Sequence, residues 1–306
     1  MTFVVRHPAV AGRFYPRDAE TLREEVTSYL SLSRSAQSES ESAPRDSPER
    51  KSDESESSYQ AAVDAIGCIA PHAGYMYSGH VAGAVFARIE IPRRCIVMCP
   101  NHTGVGRALA IMSDGEWETP LGNVPIDSEL AASLKQRCPA LQEDASAHQG
   151  EHAAEVELPF LLLRQSKLTF VPIALGTTRL DVLEQLGLAI ADVVAAQAVS
   201  EPGVAAKKDP VLIVASSDMN HYESDAVTRA KDHWAIERIL TLDARGLHEV
   251  VAQQNISMCG MGPAVAMLTA ANKLGAKSAE LVKYATSGDI SGERDMVVGY
   301  AGVVVR

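Results

Sequence analysis

The stretch Val211-Leu212-Ile213-Val214-Ala215-Ser216-Ser217-Asp218-Met219-Asn220-His221-Tyr222 decides the reading of the fold. An unbroken apolar run ends abruptly in polar residues, and a histidine follows. A short run that does not alternate with polar residues suits a strand buried on both faces. The pattern recurs in both directions along the chain. Ala65-Ile66-Gly67-Cys68-Ile69-Ala70 ends at Pro71, and Cys95-Ile96-Val97-Met98-Cys99 ends at Pro100. Leu168 to Ile173 and Val297 to Val305 read the same way. Helical patterns separate these runs. Asp18 can cap a helix carrying Leu22, Val26 and Leu30, and Asp127 or Ser128 one carrying Leu130 and Leu134. Leu180–Ala195 and Ser224–Leu240 read as long helices, and Gly262-Pro263 opens another with proline in the first turn. Strands alternating with helices predict a single α/β domain over residues 1–306, with a central, largely parallel or mixed sheet flanked by helices.

Composition narrows the function classes. Of 306 residues 46% are hydrophobic, enough to bury a large core. A net charge of -11 repels phosphate backbones, and no basic patch offsets it, so no nucleic-acid partner is expected. No apolar run approaches the roughly 20 residues of a membrane span, and residues 1–8 lack a signal peptide's pattern. A cytoplasmic protein without membrane contact is expected. The five cysteines are scattered, which fits a reducing compartment and no structural zinc site. From Ser33 to Ser58 the apolar side chains are two alanines and two prolines. Such a stretch cannot offset its ordering entropy, so it reads as a flexible Ser/Glu-rich insertion, with a phosphorylated regulatory segment as the functional alternative.

Three histidines share one context. His72 follows the first run, His102 the second, and His221 the run quoted at the outset. In open α/β sheets ligands bind beyond the carboxyl ends of the strands, and imidazole is the commonest metal ligand. A shared site is therefore expected at that edge, against the plainer reading of hydrogen-bonded structural histidines. His152 and Glu155 stand three apart, the spacing that puts both on one face of a helix; a solvated first turn is the plainer reading. Cys259 precedes a helix, where the N-terminus favours thiolate, and is a candidate ligand or nucleophile. Cys68, Cys95 and Cys99 lie inside strands and read as core residues. The chain has no P-loop and no Gly-x-Ser-x-Gly elbow, and Gly260-Met261-Gly262 is a poor dinucleotide fingerprint.

Several segments, in order, resemble the Memo family, whose bacterial and archaeal members are also called AmmeMemoRadiSam system protein B. They are Ala11-Gly12-Arg13-Phe14-Tyr15-Pro16, Pro71-His72-Ala73-Gly74-Tyr75-Met76-Tyr77-Ser78-Gly79, Pro100-Asn101-His102, Glu151-His152-Ala153-Ala154-Glu155, Ser216 to Tyr222, Cys259-Gly260 and Thr286-Ser287-Gly288-Asp289. The departure from the family pattern is the insertion, which touches no site residue. The resemblance implies a fold similar to class III extradiol dioxygenases, which are non-haem iron enzymes. It implies metal binding by two histidines and a cysteine, at the positions His72, His102 and Cys259. Extradiol enzymes use a glutamate in place of the cysteine, so their activity does not simply transfer. A thiolate with two imidazoles softens the site toward Fe(II) or Cu(I), with zinc as a further occupant.

The expectation is a Memo-like, non-haem metal-dependent redox enzyme that is dioxygenase-like and of unknown substrate. His221 is its acid/base, and His152 and Glu155 orient ligands or substrate. The alternative is a non-catalytic module binding a peptide or small molecule in the same pocket, since animal members of the family are described as binding phosphotyrosine peptides. A hydrolase using Cys259 with His221 is a third reading. The family's other name also implies a functional link to a radical SAM protein.

Overall fold

The computed structural model describes residues 4–39, 61–197 and 210–306. Its elements run in chain order β1 (Val5–Arg6), α1 (Ala19–Glu39), β2 (Gly67–Ala70), α2 (Tyr75–Arg88), β3 (Arg94–Pro100), β4 (Leu109–Ile111), β5 (Glu116–Thr119) and β6 (Gly122–Pro125). Next come α3 (Ser128–Arg137), β7 (Gln142–Glu143), α4 (Ser146–Gln149), a 3₁₀ turn (Glu155–Glu157), α5 (Leu158–Arg164), β8 (Thr169–Leu175) and α6 (Leu180–Ala196). The last part holds β9 (Val211–Ser216), β10 (His221–Glu223), α7 (Asp225–Leu240), α8 (Ala244–Gln253), α9 (Met261–Leu274), β11 (Ala279–Thr286), α10 (Ser287–Ser291) and β12 (Val297–Val305).

One mixed sheet organises the domain in the order β10-β12-β2-β9-β3-β8-β4-β7, with β11 also on β12. Its centre, β2-β9-β3-β8, is parallel throughout. The flanking strands β12 and β4 pair antiparallel to it. The α/β expectation holds, and each of the five apolar runs is a strand. Every residue of β2, β3 and β9 is buried because side chains alternate between two cores. Ile69, Ile96, Met98, Ile213 and Ala215 face one core, with α3, α6, α8 and α9. Cys68, Cys95, Val97, Cys99, Leu212 and Val214 face the other, with α1, α2 and α5. The helix caps also agree: Asp18 accepts the Thr21 N–H at 2.9 Å and Asp127 the Leu130 N–H at 2.9 Å.

Two local expectations need correction. Helix α1 runs through Glu39, past the Ser33 start of the expected insertion. Residues 40–58 of that segment lie outside the described residues. Residues 151–154 form no helix; the chain turns there and tightens into the 3₁₀ turn at Glu155. Among the described residues no helix is long and apolar enough to cross a membrane.

Candidate metal centre

The carboxyl ends of β2, β3 and β9 lie side by side, and the segments leaving them build the site. His72 sits two residues past β2 and is buried. His102 sits two residues past β3 and is exposed. Ser216 closes β9, and Asp218 follows it. The His72 and His102 rings meet edge to face with centroids 5.2 Å apart. His152 completes the group, stacked on His102 at 4.8 Å and edge-on to His72 at 5.6 Å. One ring nitrogen from each of the three lies within 4.8 Å of the others, so this group can hold a metal ion. Cys259 approaches from the opposite chain segment, and its Sγ lies 3.2 Å from His72 Nε2.

Hydrogen bonds fix which nitrogens face inward. His72 Nδ1 lies 2.8 Å from Ser216 Oγ, and His102 Nδ1 lies 2.9 Å from Glu151 Oε1. Both histidines thus use Nδ1 outward and keep Nε2 for the site, the arrangement typical of metal-bound imidazoles. Glu151 is fully buried and works as a clamp. Its carboxylate also accepts the backbone N–H groups of His102 at 2.5 Å, His152 at 2.9 Å and Ala153 at 2.9 Å. Asp218 accepts the His72 N–H at 2.8 Å and so fixes the turn after β2.

The Cys259–His72 pair alone is spaced as a shared first-row ion would require, and equally as a thiol–imidazole hydrogen bond. With metal–nitrogen and metal–sulfur bonds of about 2.05 and 2.3 Å, a shared ion separates the two donors by about 3.1 Å at a right angle and 3.6 Å at the tetrahedral angle. The 3.2 Å between Cys259 Sγ and His72 Nε2 falls in that interval. Gly260 permits the approach: a Cβ there would lie 2.3 Å from Ser217 Cβ and 2.4 Å from Ser216 O. Its N–H donates to Ser217 Oγ at 3.1 Å, pinning the Cys259 loop to the end of β9.

The electrostatics favour neutral imidazoles at His72 and His152, the charged form at His102, and a protonated thiol. Burial holds His72 well below its ordinary value, and neighbouring histidines, His221 among them, push it the same way. Burial also lowers His152. For His102 burial acts downward too, but the Glu151 hydrogen bond and charge outweigh it and the net shift is upward. Burial and then the Asp218 carboxylate push the Cys259 thiol up. The helix start therefore does not make Cys259 a thiolate by itself. A cation beside the sulfur reverses the sign, because it stabilises the thiolate directly.

His221 begins β10 and donates Nδ1–H to Ser257 O at 2.9 Å. Burial lowers it, so it is neutral near pH 7. Tyr222, the next residue, is 69% exposed with φ of 59°, a strained backbone for a bulky side chain. Glu155 takes a different position from the one its spacing suggests. It is fully buried, paired with Arg6 and accepting from Tyr15 Oη at 2.6 Å, Ala9 N at 2.8 Å and Val10 N at 3.1 Å. Its carboxylate is committed to holding the N-terminal segment. That segment brings Phe14 edge-on to His152 at 4.8 Å.

The model of the family described as Memo-like protein matches residues 6–304. A MEMO1 family protein of Methanopyrus kandleri is 41% identical over 306 residues, covering 98% of this chain and 99% of the relative. This chain belongs to the Memo family. Another MEMO1 family protein, from Methanothermobacter thermautotrophicus, is 37% identical over 305 residues, covering 97% of this Memo chain and 99% of that one. Among solved structures an uncharacterized Escherichia coli K12 protein matches with a TM-score of 0.49 and 10% identity, over 76% of this chain and 98% of that one.

The sequence reading of this Memo chain passed over Glu151, Ser216 and Glu157. Ser216 Oγ contacts His72 Nδ1, Ala153 O and Glu157 Oε1. The available signal was charge in an apolar context, since Glu157 directly precedes Leu158-Pro159-Phe160.

Proposed function

We propose that this Memo protein is a non-haem, metal-dependent redox enzyme whose ion is held by His72, His102 and Cys259. The observation that supports it most is the Cys259 Sγ placed 3.2 Å from His72 Nε2, on a histidine whose Nδ1 is already engaged. A soft thiolate with two imidazoles selects Fe(II) or Cu(I), and zinc fits the same donors. Three protein ligands leave open positions for a small molecule, as catalytic sites do. When bound, such an ion supplies one-electron exchange and a Lewis-acidic position.

The chain's own residues do the rest. His221 takes or gives a proton at Nε2 while Ser257 O holds its Nδ1–H. His152, flat against His102 with Phe14 at its edge, orients a ligand beside the ion. Glu155 acts at one remove, by holding the segment that carries Phe14. The likeness to class III extradiol dioxygenases extends to non-haem metal chemistry at strand ends. A cytoplasmic setting, a small-molecule or peptide ligand, and a functional link to a radical SAM protein belong to the same reading.

The test is anaerobic reconstitution of the chain with Fe(II) or Cu(I), followed by elemental analysis. Wild type and His152→Ala are expected to retain one ion per chain. His72→Ala, His102→Ala and Cys259→Ser are expected to lose it. Retention in Cys259→Ser with loss in His152→Ala would make the ligands three histidines. A wild type that binds no ion would leave a binding module in this pocket.

A further inference from the structure

We infer that Glu157 is a buried neutral carboxylic acid that donates its proton to Ser216 and thereby fixes ligand His72 in the Nδ1–H form. The inference deepens the metal reading, but it stands on hydrogen-bond counting alone. Ser216 Oγ has close polar neighbours on three sides: Ala153 O at 2.7 Å, Glu157 Oε1 at 2.8 Å and His72 Nδ1 at 2.8 Å. A hydroxyl has one hydrogen to give and two lone pairs to accept with. The Ala153 carbonyl can only accept, so it takes the serine's hydrogen. The other two contacts then need hydrogens from the far side. His72 supplies one as Nδ1–H, which leaves the Nε2 lone pair facing Cys259. Glu157 supplies the other, which it can do only as a carboxylic acid.

The surroundings of Glu157 agree. Its side chain is fully buried, and its Oε2 has no hydrogen-bond partner among the described residues. As a carbonyl oxygen that atom is tolerable; as half of a carboxylate it would be a buried charge without a protein donor. The groups whose charges act on it include no cation: burial and Asp218 push it up, and Ser216 alone opposes them. Two residues earlier, Glu155 has the Arg6 guanidinium, and Glu151 accepts four N–H groups. The consequence is that the two histidine ligands are not equivalent. His102 is backed by a carboxylate, which makes its Nε2 the stronger donor. His72 is backed by a hydroxyl and a neutral acid, so it stays a weaker one. Glu157 is a positioning residue, acting on His72 through Ser216.

The experiment compares the full chain with Glu157→Gln, Glu157→Leu and Ser216→Ala. Glutamine keeps a neutral donor facing Ser216, whereas leucine keeps only the bulk. Infrared spectra of the chain before metal loading, at pH 8, should show a protonated-carboxyl C=O band that disappears in Glu157→Gln. Glu157→Gln should unfold at the same urea midpoint as wild type and bind Fe(II) within about threefold, while Glu157→Leu and Ser216→Ala bind it 10- to 100-fold more weakly, the range for partners of metal ligands. A missing band, or a glutamine variant as impaired as the leucine variant, would overturn the inference. If the wild type binds no Fe(II), the metal reading fails, and the band with the urea midpoints still decides the state of Glu157.

Discussion

Replacing Glu151 with glutamine separates a clamp from a bystander. The wild-type carboxylate accepts four N–H groups, three at Oε1 and one at Oε2. A glutamine amide has one accepting oxygen and one donating nitrogen. The better orientation keeps the oxygen at the Oε1 position and sets the amide nitrogen against the His102 N–H. One buried donor then loses its acceptor, which costs about 1–3 kcal/mol of stability. The charge behind the His102 ring also disappears. Loss of such a partner lowers metal affinity roughly 10- to 100-fold, or about 1.4–2.7 kcal/mol. The assay is anaerobic Fe(II) competition against a chromophoric chelator, beside urea unfolding of the same samples. An NMR titration adds a third readout. Glu151 holds His102 above its ordinary value against the effect of burial, so the variant's His102 should fall below it. If Glu151→Gln binds Fe(II) as tightly as wild type while His102→Ala binds none, the carboxylate does not set the imidazole and the reasoning is wrong.

Three further outcomes follow from the packing. Burial pushes the Asp232 carboxyl up to about 7, so the folded chain holds that proton after the unfolded chain has lost it. Its stabilising effect is complete at acid pH and lost between about pH 4 and 7, up to about 4 kcal/mol. Asp218, also pushed up to about 7 by burial, has the same sign, while histidines that burial lowers, such as His80 and His148, have the opposite one. Asp232→Asn should therefore raise the urea midpoint at pH 8 relative to that at pH 5 when compared with wild type, and an unchanged pH profile would refute the shift. Gly260→Ala drives a Cβ against Ser217 and the Ser216 carbonyl. It should cost about 1–3 kcal/mol in thermal unfolding and weaken Fe(II) binding by displacing Cys259; unchanged binding would mean the loop does not position the sulfur. Glu155→Gln strands the buried Arg6, which costs about 3–5 kcal/mol. Limited trypsin digestion should then cut at Arg13 or Arg17, and a wild-type digestion pattern would refute the anchoring role.

The sheet was legible because a parallel strand covered on both faces must be apolar at every position, as β3 and β9 are. The rule that ligands gather at strand carboxyl ends then put His72 and His102 in one place. The edge of the fold was not legible. Strands β4, β7 and β10 span two or three residues and exist through their partners, so they carry no periodicity of their own. Helix α2 went unread because glycines interrupt its pattern. Gly79 and Gly83 are there because Tyr29 of α1 lies where their Cβ atoms would be. His152 and Glu155 have helical spacing, but the chain turns through them, and their side chains meet different partners, His102 and Phe14 for the one and Arg6 and Tyr15 for the other.

The three glutamates between residues 151 and 157 show where sequence reading meets its physical limit. Before an apolar helix, Glu151, Glu155 and Glu157 look alike, as solvated acids at a helix start. All three are fully buried, and partners on distant strands and turns decide what each does. Glu151 meets the main chain beyond β3 and fixes His102. Glu155 meets Arg6 of β1 and the turn at Ala9 and Val10, and so ties down the segment that carries Phe14. Glu157 meets Ser216 at the end of β9 and reaches His72 through it. A seven-residue stretch thus joins three separate parts of the chain at one edge of the sheet. Glu151, which orients His102, and Glu157, which reaches His72 through Ser216, lie within that one stretch, while His72, His102 and Cys259 are scattered. A change in that stretch therefore reaches the proposed ion through two histidines at once, although neither His72 nor His102 belongs to it.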